Sequence, residues 1–345
     1  MRRPYLKFFF RTFGWFTALM LPIVTAYILI DPLHALRFHE EQNPITYEYS
    51  RAISSINYFD HYNDSIHYDS FIIGSSVAEC YDIDHWKKYL PEGSRPYYIH
   101  YAAQTIEQLR LSLDYIANKA PLRNVLVVLT PKSCFFTDYN GVQYIASPKI
   151  EKNYLRKARN YFNEFKFCFD RRAILSYLCV KVLNLEKPYD NVLPWLNPPS
   201  IEDKTINLTT CPITDSIIDI SFLDFKTTFP DGDVIMRKFP ISISPNVLNE
   251  VQIEHLKAVR KLLEDSNCNY RVVMTPAANH LPNPTYLKQL SEIFGGNFID
   301  LSIEFHYYFL LPGYAYDFIH PTRRLTRILL DRIYGDPSPN AAVPL

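Results

Sequence analysis

An excess charge of either sign is missing from this chain: 36 Lys and Arg stand against 36 Asp and Glu over 345 residues. Proteins that neutralise nucleic-acid phosphates need a basic surplus, so no nucleic-acid partner is expected. Glycine is scarce, with 9 residues against 25 prolines, and a glycine at the end of an apolar run therefore carries information. The six cysteines (Cys80, Cys134, Cys168, Cys179, Cys211, Cys268) show no C-x-x-C spacing and no ligand pattern with histidine, so no metal is expected. An oxidising compartment would permit one or two disulfides among them, but their pairing is not readable. What the chain does have is aromatic weight, 15% of its residues, and 48% hydrophobic against 21% charged residues. That balance belongs to a folded chain, long enough for one large domain or two modest ones.

Acids are also absent from the first 30 residues. Arg2, Arg3, Lys7 and Arg11 precede Thr12–Ile30, which is 19 residues without a charge. About 20 apolar residues cross a bilayer as a helix, and basic flanks stay in the cytoplasm. A cleaved signal peptide has a shorter apolar core and a small-x-small site after it; Asp31-Pro32-Leu33-His34 offers none. Residues 12–30 thus predict a single-pass anchor with the N-terminus inside and the remainder extracytoplasmic, in a periplasm or at the cell surface. The four basic residues of the anchor's flank leave 32 bases against 36 acids in the rest of the chain, a mildly acidic exported part.

Residues 31–68 read as a polar stalk, after which strands and helices alternate. Strands are expected at 70–74, 97–101, 124–130, 270–275 and 297–301, with helices near 83–90, 105–118, 247–263, 286–294 and 322–334. This alternation predicts an α/β domain, a flavodoxin-like parallel sheet covered by helices, over residues 69–335. The NVLVVLT run at 124–130 is of the kind buried on both faces of such a sheet. A large insertion interrupts the pattern at about 137–245, opening with a long amphipathic, Lys-, Arg- and aromatic-containing stretch at 150–185. Residues 336–345 form a tail.

In parallel sheets, chemistry gathers at the carboxyl ends of the strands. The first strand ends in Gly74-Ser75-Ser76. A small-residue turn there exposes a serine hydroxyl beside free backbone N–H groups, which suits a nucleophile; an ordinary turn with a capping serine has the same sequence. A base is needed, and Asp-x-x-His occurs four times: Asp31/His34, Asp64/His67, Asp82/His85 and Asp317/His320. The spacing alone discriminates nothing, but only Asp317/His320 comes after the last predicted strand and opens onto a terminal helix. Asn279 and His280 come after the fourth strand and are candidates to line the same cleft, as are Gln104 after the second and Lys132 after the third.

A strand running into G-x-S, an interrupted α/β middle and D-x-x-H before the last helix together resemble the SGNH (GDSL-type) hydrolase superfamily. The likeness is closer to its membrane-anchored branch, which includes proteins of teichoic-acid D-alanylation and alginate O-acetylation. It covers roughly residues 70–132 and 246–334 plus the anchor. Carried over, the resemblance implies Ser76 as nucleophile, His320 as general base and Asp317 as its orienting carboxylate. Ser75 stands where GDSL enzymes carry Asp, and the superfamily's oxyanion glycine and G-x-N-D block are not visible. The Ser76 amide, with Gln104 or the Lys132 region, is the candidate replacement. The resemblance thus implies an SGNH-like acyltransferase or esterase acting on a cell-envelope glycan from an acylated donor, with no cofactor. It also implies a multi-spanning membrane acyltransferase as partner. Two other readings stay open, a simple acyl esterase and a catalytically silent scaffold or glycan-binding protein.

Overall fold

The computed structural model describes residues 3–31, 36–39, 51–101, 104–131, 147–167, 169, 201–203, 205, 208–209, 242–278, 280–310, 314–315 and 319–335. The N-terminal apolar run forms one helix, α1 (Arg3–Ile30). Its segment Tyr5–Ile30 is long and apolar enough to cross a membrane, and none of its most apolar stretch is buried in the protein. At 1.5 Å per residue, its 26 residues reach about 39 Å, against a hydrocarbon core of about 30 Å. At its end the buried Asp31 carboxylate accepts the Leu36 and Arg37 amides (3.2 and 3.1 Å) and lies 3.0 Å from His39 Nε2. The aspartate of the first Asp-x-x-His pair is therefore part of a turn leaving α1.

Next come helix α2 (Arg51–Ile66), β1 (Ser70–Ser75), α3 (Ile83–Trp86), β2 (Pro96–Tyr101), α4 (Ile106–Ala117) and β3 (Asn124–Leu129). Helices α5 (Tyr154–Phe167) and α6 (Glu250–Asp265) lie in the crossover to β4 (Asn269–Met274); α7 (Pro284–Phe294), β5 (Phe298–Asp300) and α8 (Arg323–Tyr334) complete the order. Among the described residues, these five strands form one parallel sheet in spatial order β2-β1-β3-β4-β5, the flavodoxin-like 2-1-3-4-5 arrangement. The chain turns one way from β1 to β2 and the other way to β3, so the topological switch falls at β1.

The strands are short, and β1, β2 and β3 are buried along their whole length, which divides the core in two by residue parity. Phe71, Ile73, Tyr97, Ile99, Val125, Val127, Val272 and Met274 face α2, α4, α6 and α7. Ile72, Tyr98, Leu126, Val128 and Val273 face α3, the 301–309 segment and α8. Local signals agree with this layering. Thr105 and Gln108 form a reciprocal capping box at α4, and Asn249 and Gln252 form another at α6, each worth about 1 kcal/mol.

Two expectations need correcting. Residues 51–66 are not stalk. They form α2, whose Ala52, Ile56 and Phe59 are buried in the core on one face of the sheet, so the domain begins at or before residue 51. In place of a helix over 83–90, the chain makes a 3-10 turn at Ser76–Cys80, the four-residue α3 and a second 3-10 turn at Lys87–Tyr89. No disulfide joins the two described cysteines, Cys80 and Cys268.

Candidate active site

Ser76 stands at the carboxyl end of β1, at the topological switch, where open parallel sheets leave a crevice. From Tyr68 to Ile83 every residue is buried except Ser76. The turn is shaped by Gly74. A Cβ there would lie 2.5 Å from the Val128 carbonyl oxygen and 3.1 Å from the Ala78 and Val128 Cβ atoms. Only a residue without a side chain lets the 3-10 turn Ser76–Cys80 settle this close to β3. The first N–H groups of that turn have no carbonyl of the turn to bond.

His320 arrives from the far end of the chain. Its loop is pinned where Ala315 bridges Pro321 and where the Thr322 amide bonds the Tyr314 carbonyl at 2.9 Å. The Arg324 guanidinium covers the Tyr314 ring at 4.6 Å. Thr322 then caps α8 by accepting the Leu325 amide. The outcome is a 2.8 Å contact between Ser76 Oγ and His320 Nε2, across 244 residues of sequence. Both residues are half-buried.

Two ties hold the nucleophile's turn to the helix behind the histidine. The Thr326 hydroxyl donates to the Cys80 carbonyl at 2.9 Å, and Arg327 Nε donates to Asp82 Oδ2 at 2.6 Å. Asp82 also caps α3 by accepting the Asp84 and His85 amides. Burial pushes the Asp82 carboxyl up, but the His85 amide and Arg327 outweigh burial and hold it below its usual range. Asp60, bonded by Lys119 and Lys149, is likewise held low against its burial. A carboxyl lowered on folding contributes stability above its unfolded value of about 3.9 and loses it as pH falls through the folded value. Acidification below about pH 4 should therefore loosen the Ser76–His320 arrangement. Asp82→Asn should cost about 1 kcal/mol near neutrality. In chemical unfolding, the gap between Asp82→Asn and wild type should narrow as the pH falls below about 4.

Of the remaining expected residues, Ser75, Gln104 and His280 are described. Ser75 ends β1 on the opposite face from Gly74; its hydroxyl is buried and has no hydrogen-bond partner among the described residues. Gln104 lies just past β2, the neighbour of β1, and its buried Nε2 also lacks a partner among the described residues. Native structures rarely leave such groups unpaired without a reason. His280 sits in a two-residue strand that pairs with Ser242–Ile243, its Nδ1 at 2.8 Å from Ser242 Oγ. Lys132, Asn279 and Asp317 lie outside the described residues.

Sequence reasoning missed Thr326 and Arg327, whose positions on α8 acquire meaning only once the helix lies against the β1 turn. It also missed a buried pair below that turn: Glu79 Oε2 is 3.3 Å from His100 Nδ1, and His100 is the register partner of Gly74. A concavity of about 650 Å³ opens at the amino-terminal edge of the sheet, lined by Pro91, Leu122, Arg123, Asn124 and Asn269 among others. The serine–histidine contact is at the other edge, where strand polarity places reactive groups. Comparison with protein-family models and with curated proteins returned no match.

Proposed function

We propose that the protein is a membrane-tethered, SGNH-like serine acyltransferase or esterase whose domain lies outside the cytoplasm and modifies a cell-envelope glycan. The observation that carries this reading is the 2.8 Å contact of Ser76 Oγ with His320 Nε2 at the switch point of the sheet. The basic flank and apolar length of α1 support the tether and its direction. The acyl-envelope context comes from the family resemblance of the sequence, as does a multi-spanning acyltransferase as donor partner.

In the proposed reaction, Ser76 Oγ attacks the acyl carbonyl carbon while its proton passes to His320 Nε2. The carbonyl electron pair moves to oxygen, where the first N–H groups of the 3-10 turn and the Gln104 side-chain amide are the donors assigned to it. The tetrahedral species expels the donor's leaving heteroatom, which takes the proton from His320. A sugar hydroxyl or water then gives its proton to His320 Nε2 and attacks the acyl-serine, and Ser76 leaves and recovers the proton. Asp317, four residues before Pro321, takes the role of orienting the imidazole.

Activated acyl esters test this reading. The full chain in detergent micelles should release a burst of about one equivalent of leaving group per chain, and slower turnover should come after it. Oligosaccharide acceptors should accelerate the second phase if the enzyme is a transferase and leave it unchanged if it is an esterase. Absence of both burst and turnover in folded protein would leave the silent-scaffold reading standing.

A further inference from the structure

Helix α5 (Tyr154–Phe167) is amphipathic the wrong way round for a soluble protein. Its inward face is polar, with Asn160 8% and Glu164 0% exposed, whereas Tyr154, Leu155 and Phe162 are 86%, 83% and 61% exposed. Phe169, just beyond its end, is 52% exposed and continues the stripe. Positions 155, 158, 162, 165 and 169 recur at helical spacing, so the apolar groups share one face. Arg159 and Lys166 are exposed along the border of that face. Within Tyr154–Phe167 the single acid, Glu164, points inward.

The inversion is enforced from the polar side. Arg156 donates to Glu107 of α4 at 2.6 Å and lies 3.3 Å from the buried Glu151. Just ahead of the helix, Lys152 reaches Asp114 of α4 at 2.9 Å and Lys149 reaches Asp60 of α2 at 2.9 Å. These bonds turn the aromatic face outward. What adjoins it is the end of α1: the Phe165 ring packs edge-on against Tyr27, centroids 5.2 Å apart, one turn before the helix ends at Ile30. Phe165 also contacts Phe162 and Phe169, at 6.5 and 5.1 Å, so the aromatic stripe is continuous with the C-terminal end of the span.

We infer that α5 lies in the plane of the membrane interface beside the C-terminal end of α1. Tyr154, Leu155, Phe162 and Phe169 enter the boundary between headgroups and acyl chains, while Arg159 and Lys166 meet the lipid phosphates. Aromatics set in one face and bordered by cations are the pattern of interfacial helices. The domain is then held on the bilayer at two points, through a span and a flat helix, and does not swing on a tether. This inference rests on α1 being a membrane span.

The test uses the full chain reconstituted in vesicles of phosphatidylcholine and phosphatidylglycerol doped with a diazirine-bearing phosphatidylcholine, with irradiation and then peptide mapping. Lipid adducts are expected on α1 peptides and on peptides covering 154–169. A paired Leu155→Glu and Phe162→Glu variant should lose about fivefold or more of the α5 adducts while α1 labelling persists. Adducts confined to α1 in the wild type would overturn the interfacial helix, leaving the span intact and the aromatic face to a protein partner. Adducts on neither element would overturn both.

Discussion

Ser76→Ala should lower acyl-ester turnover by about 10⁴-fold or more, with the substrate's KM little changed. The hydroxyl is the one atom group that the proposed chemistry consumes and restores. Its replacement removes the 2.8 Å contact with His320 Nε2 while leaving Gly74 and the turn in place. His320→Ala should fall to a comparable level, because an unactivated serine hydroxyl is a weak nucleophile near neutral pH. The Ser76→Ala, His320→Ala double variant should be no slower than either single one. Groups that act as a unit lose their contribution together. Steady-state kinetics on the three variants, with unfolding curves superimposed on wild type, check this. A double variant slower than the singles by the product of their effects would mean that the two residues work independently.

The second large effect is expected at a residue that touches no substrate. Gly74→Ala should destabilise the domain by about 2–4 kcal/mol, measured by chemical or thermal unfolding. The new Cβ would meet the Val128 carbonyl oxygen at 2.5 Å, and that oxygen belongs to β3, which is paired on both sides. Backbone held in two ladders cannot retreat as a flexible side chain can. Relief must come from the Ser76–Cys80 turn, whose Ala78 Cβ would also be crowded at 3.1 Å. Activity should therefore fall further than the loss of folded protein explains. Gly296→Ala serves as the control: nothing lies within 4 Å of a Cβ there, and its stability should stay close to wild type.

Much of the fold was legible in the sequence because it depends on local composition. Continuous apolar runs such as Val125–Leu129 suit strands buried on both faces, and the scarcity of glycine singled out Gly74. The approach of Ser76 to His320 was legible as chain order: a residue after the first strand and a loop before the last helix meet at the same sheet edge. The α2 helix was hidden for a physical reason. Ser54, Ser55 and Asn57 are buried along with its apolar residues, and this dilutes the hydrophobic period. Ser55 is made tolerable by bonds that no sequence displays: its hydroxyl donates to the His100 carbonyl at 3.1 Å, and its own carbonyl accepts from Tyr97 at 2.7 Å. The Arg327–Asp82 and Glu79–His100 pairs were hidden in the same way, because charged residues acquire meaning only from partners brought in by the fold. The stretch at 150–185 was read as amphipathic, but which face of α5 points inward is decided by Glu107 and Asp114 on another helix.

The central claim is that Ser76 is a nucleophile activated by His320. It is tested most directly by treating the folded full chain with a fluorophosphonate probe and mapping the modified residue by peptide mass spectrometry. The predicted result is one covalent adduct, on Ser76, absent from both Ser76→Ala and His320→Ala. A folded wild-type chain that stays unlabelled, or an adduct carried by another serine while Ser76 stays free, would contradict it.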